Sequence, residues 1–249
     1  MGKQNGIIQL KGTIGNITFY ETQDGFLFKK RTRLTKNSMM NGPHAARIKE
    51  NQAEFGESTK SSALIRNAFR WLLVKSADNR ISSRLAKTMH SILKLDGTSP
   101  RGARNVGTAI ALPTASNLLK GFNFNKNANL SDVLHIPFLV NTVTGVITIN
   151  GLIPLNDVTK PNGATHMSIT GAWSKVDFSG KIFNSEATNV VNLPIDGAST
   201  NVTLTPVAVP TGTGTNVFVV SVEFLQIVNG IQYPLNNRVG NALAIVALA

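Results

Sequence analysis

The sequence predicts an α+β protein in which an N-terminal β-hairpin and helices precede a C-terminal antiparallel β-sandwich of immunoglobulin-like size. Three observations support this fold class. A hairpin signal stands at Asp24-Gly25, and apolar residues follow at helical spacing between about 58 and 95. From about residue 134, seven short segments rich in Thr and Val are separated by turn residues.

The net charge of +12 is concentrated in the first part of the chain. Residues 1–110 contain 19 Lys and Arg against 7 Asp and Glu, whereas residues 111–249 contain 6 of each. We therefore expect a basic hairpin and helical region at 1–110, a linker with a short helix at 111–133, and the sandwich at 134–249. A basic region joined to a neutral one indicates a localised acidic partner such as nucleic acid, or else a solvated surface.

The hairpin is predicted to turn at Asp24-Gly25 and to return along Phe26-Leu27-Phe28-Lys29-Lys30-Arg31-Thr32-Arg33. Side chains alternate along a strand, so one face is largely cationic and the other begins with two phenylalanines. The first face holds Leu27, Lys29, Arg31 and Arg33, and the second holds Phe26, Phe28 and Lys30. Two strands alone are marginal in water, so we expect cover from the chain's own helices or from a neighbouring subunit.

Helices are predicted at 43–56, at Ser58–Val74 and at Asn79–Leu95, with Gly56 interrupting the first from the second. Pro113 is expected to open a short helix that runs through Leu119. The apolar stripe of the second helix is too wide for a helix that packs on one partner only.

The C-terminal region is predicted to consist of short strands joined by tight turns. Asn229-Gly230 is a second strong hairpin signal. The final segment, ALAIVALA at 242–249, is apolar at every position, which requires cover on both faces. A central strand of the sandwich and a contact with another subunit both satisfy that requirement.

The sequence carries little sign of catalytic chemistry. There is no cysteine, the four histidines lack metal-ligand spacing, and no nucleophile or phosphate-loop motif is present. A Ser/His/Asp arrangement is not visible in sequence because its members are distant in the chain. With only 13 carboxylates, we expect no enzyme, no cofactor and no metal site. No signal peptide or membrane helix is recognisable, so we expect cytoplasmic synthesis, with the final location open.

Two groups of residues are candidates for function. The candidate nucleic-acid or anion contacts share a positive charge and lie in the basic region: Lys29, Lys30, Arg31, Arg33, Lys36, Arg47, Arg66, Arg70, Arg80, Arg84 and Lys87. The candidate self-association residues are large apolar side chains on faces that need cover: Phe26, Phe28, Ile65, Phe69, Leu73, Ile245 and Val246.

The segments KGTIGNITFYETQDGFLFKKRTRL, PHAARIKENQAEFG and ALIRNAFRWLL resemble the N-terminal region of small uncharacterised proteins common in Bacteroidota genomes. The resemblance covers roughly the first 95 residues. It implies a Gly-rich hairpin, a helical segment and a β-rich C-terminal part. No activity is implied, so no functional residue is carried over.

These observations lead to a main hypothesis and two alternatives. The main hypothesis is a non-enzymatic structural protein that assembles with itself, as a virion component or filament subunit. Its basic residues 1–110 would face an acidic partner such as nucleic acid, and no membrane is expected. One alternative is a nucleic-acid-binding accessory protein. The other is a β-sandwich adhesin or ligand-binding module, which the uncharged Thr- and Asn-rich loops allow.

Overall fold

The computed structural model describes residues 1–249 except 7, 32–40, 43, 77, 236 and 237. The fold is α+β with a β-rich C-terminal region, as predicted. Two compact units are present, residues 1–49 and residues 50–249. The boundaries at 110 and 133 follow the charge pattern, which reports the surface rather than shared core contacts, and they stay a prediction.

The elements are numbered here in chain order. The first part contains β1 (Gly2–Lys3), β2 (Gly12–Ile14), β3 (Ile17–Thr22) and β4 (Gly25–Lys30). The described helices are α1 (Ala45–Ala68), α2 (Arg70–Leu73), α3 (Ile81–Leu93), α4 (Val106–Ile110), α5 (Pro113–Leu119), α6 (Leu130–Val133) and α7 (Pro154–Asp157). The remaining strands are β5 (Leu139–Val140), β6 (Ile147–Leu152), β7 (His166–Asp177), β8 (Ile182–Pro194), β9 (Thr200–Leu204), β10 (Thr215–Val228), β11 (Ile231–Pro234) and β12 (Ala242–Leu248).

The predicted hairpin is confirmed and belongs to a four-stranded antiparallel sheet in the order β1-β4-β3-β2. Its turn lies one residue earlier than predicted, because Thr22 pairs with Gly25 and leaves Gln23 and Asp24 as the loop. The Thr22 hydroxyl accepts the Asp24 N–H at 3.2 Å. Gly25 is the first residue of β4, and its positive φ of 101° is a backbone conformation that favours glycine.

The pairing register of the first sheet confirms the predicted alternation for the described residues. Phe19 lies opposite Phe28, and Tyr20 lies opposite Leu27. Directly opposed residues of an antiparallel pair project to the same side. One side, called here the apolar face, therefore contains Ile14, Ile17, Phe19, Phe26 and Phe28. The other side, called the polar face, contains Thr13, Thr18, Tyr20, Leu27 and Lys29.

The helical region differs from the prediction at two points, Gly56 and Phe69. Helix α1 runs without interruption from Ala45 to Ala68, so the predicted break at Gly56 is wrong. One glycine costs only about 1 kcal/mol relative to alanine in a helix, which neighbouring turns can offset. The backbone instead leaves helical geometry at Phe69, before α2. The predicted helices at Asn79–Leu95 and at Pro113 are confirmed as α3 and α5.

The second unit is layered around a five-stranded sheet with the order β11-β10-β7-β8, in which β12 also pairs with β10. Residues from α1 to α5 share a first hydrophobic core with one side of this sheet, including Val217 and Val219. A three-stranded sheet, β5-β6-β9, shares a second core with the opposite side, including Val220 and Val222. Alternation along β10 therefore supplies both cores.

The two sheets also join at one edge. The N–H of Asn189 donates to the carbonyl of Thr205, and the N–H of Val207 donates to the carbonyl of Ala187. These bonds pair β8 with the residues that directly follow β9. The two sheets are therefore connected along this edge, and the sandwich is curled. The second hairpin is confirmed, with Asn229 and Gly230 at φ values of 51° and 80° between β10 and β11.

The C-terminal strand β12 has both of the covers that its sequence requires. Leu243 and Ile245 belong to the first core, and Ala242 and Ala244 belong to the second. Its outer edge accepts a hydrogen bond of 2.8 Å from the Gly121 N–H to the carbonyl of Ile245. The chain itself thus covers this strand.

Candidate functional site

A cleft of about 430 Å³ in the second unit is lined by two of the predicted cationic residues, Arg66 and Arg70. Arg66 lies in the last turn of α1, and Arg70 begins α2. Both side chains line the same cleft, although the backbone leaves helical geometry at Phe69 between them. The cleft, called here the Arg66–Arg70 cleft, is completed by Asn67, Leu73, Val74, Ser76, Asp78, Ile81 and Phe124.

Two polar atoms of this cleft are buried without a hydrogen-bond partner among the described residues. They are the Nε of Arg66 and the Oγ of Ser76. Leaving a buried donor unpaired costs about 1–3 kcal/mol, so such atoms are uncommon and call for an explanation. In the described part of the chain, neither Arg66 nor Arg70 has a carboxylate partner.

Asp78 also lines the cleft, but its carboxylate is already fully engaged. Arg84 donates to Asp78 Oδ2 from Nε at 3.1 Å and from an Nη at 2.6 Å. The backbone N–H groups of Arg80 and Lys126 donate at 2.7 and 3.2 Å. Burial acts to raise the pKa of Asp78, but these hydrogen bonds and the Arg84 charge lower it overall. Asp78 and Arg84 thus neutralise each other, and Arg66 and Arg70 set the charge of the cleft.

Arg84 was predicted as an anion contact, yet it also makes structural contacts within the chain. Its guanidinium donates to the carbonyls of Asn123 and Phe124 at 2.8 and 3.0 Å. It also lies 5.1 Å from the centroid of the Phe122 ring. These contacts tie α3 to the segment between α5 and α6.

The other predicted cations do not converge on this cleft. Lys29, Lys30 and Arg31 lie exposed at the end of β4 and just beyond it, whereas Arg33 and Lys36 lie outside the described residues. The remaining three are exposed on or beside helices, namely Arg47 in α1, Arg80 before α3 and Lys87 within α3.

The apolar face of the first sheet is a second candidate site. In the described part of residues 1–31, no side chain is buried. Ile14 remains 63% exposed although it lies on the same face as Phe19 and Phe28. Lys11 partly screens one end, since its Nζ lies 5.6 Å from the Phe26 ring centroid and 2.5 Å from Glu21. Phe19, Phe26 and Phe28 are half-buried, and Ile17 is exposed like Ile14. An exposed apolar patch of this kind is typical of an interaction surface.

The predicted self-association residues lie in different environments. Phe26 and Phe28 belong to the apolar face and are half-buried. Ile65, Phe69 and Ile245 are fully buried in the first core, so they receive their cover from the chain itself. Leu73 packs against the first core and Val246 against the second.

Sequence reasoning did not find the polar lining of the cleft. Ser76, Asp78 and Asn67 match no recognised motif. Asn67 lies in α1, whereas Ser76 and Asp78 come from the segment between α2 and α3. The segment Asp-Asn-Arg at 78–80 indicates a local turn, and it does not indicate a cleft. Pairing of Asp78 with Arg84, six residues later, is not a standard helical spacing.

The described residues were compared with the geometry that a metal ion requires. They contain no group of three or more His, Asp or Glu side chains placed to hold a metal ion. Over the same residues, no helix is both long enough and apolar enough to cross a bilayer.

Comparisons of this chain with protein-family models, with curated proteins and with solved structures find no match.

Proposed function

We propose that the protein is a non-enzymatic structural subunit that assembles with copies of itself, as a virion component or filament subunit. Its basic part would face an acidic partner such as nucleic acid. The observation that carries this proposal is the apolar face of the first sheet, on which none of the described side chains is buried. Phe19, Phe26 and Phe28 lie on that face, and burying aromatic side chains is among the largest contributions to association.

A second copy of the chain is the occupant that we propose for the apolar face, because the charges at its ends are self-complementary. Glu21 lies opposite Phe26 at one end, and Lys30 lies opposite Ile17 at the other. Two such faces stacked about a two-fold axis would bring Glu21 of each copy toward Lys30 of the other. The same patch would then serve both partners, as closed dimers require.

The acidic partner is supported by the position of Lys29, Lys30 and Arg31. These three cations are consecutive and exposed, and they end the strand that carries Phe26 and Phe28. The first unit can therefore offer charge for a phosphate backbone next to its assembly face. Such contacts position nucleic acid without reading its sequence, and they weaken steeply with salt.

The proposal is tested by light scattering over a wide concentration range, followed by electron microscopy of the same sample. We expect a mass above that of the 26.7 kDa chain, growing with concentration, and visible particles or filaments. A monomer at every concentration, with no assembled object in the images, would contradict it.

A further inference from the structure

We propose that the Arg66–Arg70 cleft binds a phosphate group. This inference rests on the part of the proposed function that gives the chain an acidic partner, and it does not depend on self-assembly. The first argument is the uncompensated charge. Two guanidinium groups line one cleft with no carboxylate partner among the described residues, while the neighbouring Arg84 is paired with Asp78.

The second argument is the pair of unpartnered polar atoms. Arg66 Nε and Ser76 Oγ are both buried, and their residues line the same cleft. Each can donate to an anion, and a serine hydroxyl is free to rotate its hydrogen toward an acceptor. An anion bound between them gives both atoms the partner that the described part of the chain does not provide.

The third argument is the chemistry of the lining. Arginine presents donors in a planar fork that matches phosphate oxygens, and charge-assisted bonds of this kind are about twice as strong as neutral ones. Leu73, Ile81 and Phe124 supply an apolar wall, which lowers the local dielectric and strengthens such bonds. The Asn67 side chain adds an amide donor at the same opening.

The size of the cleft sets the class of ligand. Its volume of about 430 Å³ lies within the range of small-molecule sites. A phosphate group together with part of what it esterifies can therefore enter. The shared chemistry is a phosphate monoester or diester, carried either by a free small molecule or by a nucleic-acid backbone.

The test measures binding of inorganic phosphate by calorimetry in a phosphate-free buffer at low salt, with the full chain. We compare the native protein with Arg66→Gln, Arg70→Gln and the control Lys60→Gln. Lys60 is an exposed cation of α1 that does not line the cleft, so its replacement removes the same charge. We expect saturable binding that weakens at least tenfold in the two arginine variants and stays unchanged in the control.

A short single-stranded oligonucleotide separates the two sources of the phosphate group. If inorganic phosphate displaces the oligonucleotide, the cleft accepts a free phosphate. If the oligonucleotide binds through Arg66 and Arg70 but phosphate does not compete, the cleft prefers the diester. The inference is overturned if neither probe binds, or if both probes bind the native protein and its three variants equally well. Self-association measured without either probe reports separately on the proposed function.

Thermal unfolding provides a second readout that also tests whether the variants fold. Replacing Arg66 by Gln removes a buried hydrogen-bond donor that has no partner among the described residues. We therefore expect an equal or higher melting temperature without phosphate. Phosphate should raise the melting temperature of the native protein but not that of Arg66→Gln, because ligands stabilise the state that binds them. A native protein that neither phosphate nor the oligonucleotide stabilises would contradict the inference.

Discussion

Phe19 and Phe28 face each other across β3 and β4 with their ring centroids 6.1 Å apart, and neither ring is buried. The Phe28 ring also lies over Gly2, where a Cβ atom would come within 2.4 Å of it. The pair is therefore organised before any partner arrives. A preorganised aromatic pair loses little conformational entropy on association, which favours tight packing with a second apolar surface.

The first prediction concerns Ile14→Asp on the apolar face. Ile14 is 63% exposed in the single chain, so the substitution should change the stability of the monomer little. A charge placed between two stacked faces would be buried without a partner, and assembly should weaken strongly. Light scattering at matched concentrations measures the shift toward monomer.

Thr13→Asp is the matched control for that experiment. Thr13 is the neighbouring residue of β2 and projects to the polar face. It adds the same charge to the same strand, so any general effect of acidity appears in both variants. Equal loss of assembly in the two variants would show that the apolar face does not join the subunits.

The second prediction concerns nucleic-acid binding by Lys29 and Arg31. Their double replacement by Gln should weaken binding to a DNA duplex at low salt. It should also reduce the slope of log K against log salt by about 0.9 for each phosphate that the variant no longer neutralises. The control removes Lys120 and Lys126, two exposed lysines of the neutral region. A slope that changes equally in both variants would contradict the assignment to β4.

The third prediction concerns the close packing of Gly145 against the Trp173 ring. A Cβ at Gly145 would lie 2.4 Å from Trp173, whose ring stacks on Phe218 at 5.3 Å. Gly145→Ala should therefore combine backbone strain of about 1–2 kcal/mol with overpacking of about 1–3 kcal/mol. Denaturant unfolding measures the resulting fall in the free energy of unfolding.

Gly151→Ala separates those two contributions. Gly151 has a φ of 70°, close to the 75° of Gly145, but its nearest neighbour would be 3.9 Å away. It carries the strain without the clash and should be the milder change. Equal free energies of unfolding for both variants would show that Trp173 moves aside without cost.

The fourth prediction concerns Asp96, a buried carboxylate in the loop after α3. Hydrogen bonds from Ser99 lower the pKa of Asp96, and burial acts against them. Further hydrogen bonds from Asn105 and Thr98 also lower the pKa, so the overall shift is downward. A depressed pKa in the folded state contributes stability above the unfolded value of 3.8, and that stability is lost as the pH falls through the folded pKa.

Asp96→Asn should accordingly be less stable at pH 7 by about 1–3 kcal/mol, because the Asn105 N–H at 3.0 Å can lose its acceptor. The difference from the native protein should shrink as the pH falls below about 4. Urea unfolding at a series of pH values measures this gap. Asp132→Asn, which replaces an exposed carboxylate, should show no comparable gap, and a constant gap for Asp96→Asn would contradict the pKa argument.

Local chemistry made much of the fold predictable. Asn229-Gly230 needs only backbone preferences to form its turn, and the alternation of Phe26 and Phe28 with Lys29 follows from strand geometry. The helix through Gly56 was not predictable, because the packing of α1 outweighs the small local cost of one glycine.

The candidate site was predictable only in part. Arg66 and Arg70 could be chosen because they are cations four residues apart. Nothing in the sequence indicates that Asp78 satisfies Arg84 and leaves the other two arginines unpaired, since that result depends on the path of the chain between α2 and α3. Ile65 and Ile245 were interpreted as contacts between subunits because sequence patterns show that cover is needed, not what provides it.

The sharing of β10 between two cores has a consequence for how this chain can be recombined. Val219 packs toward the helices and its neighbour Val220 toward the small sheet. A gene fusion or exchange made at residue 110 or 133, where the composition changes, would strip one side of β10 and leave Val217, Val219 and Ile245 uncovered. Residues 50–249 should therefore be inherited, expressed and unfolded as one piece.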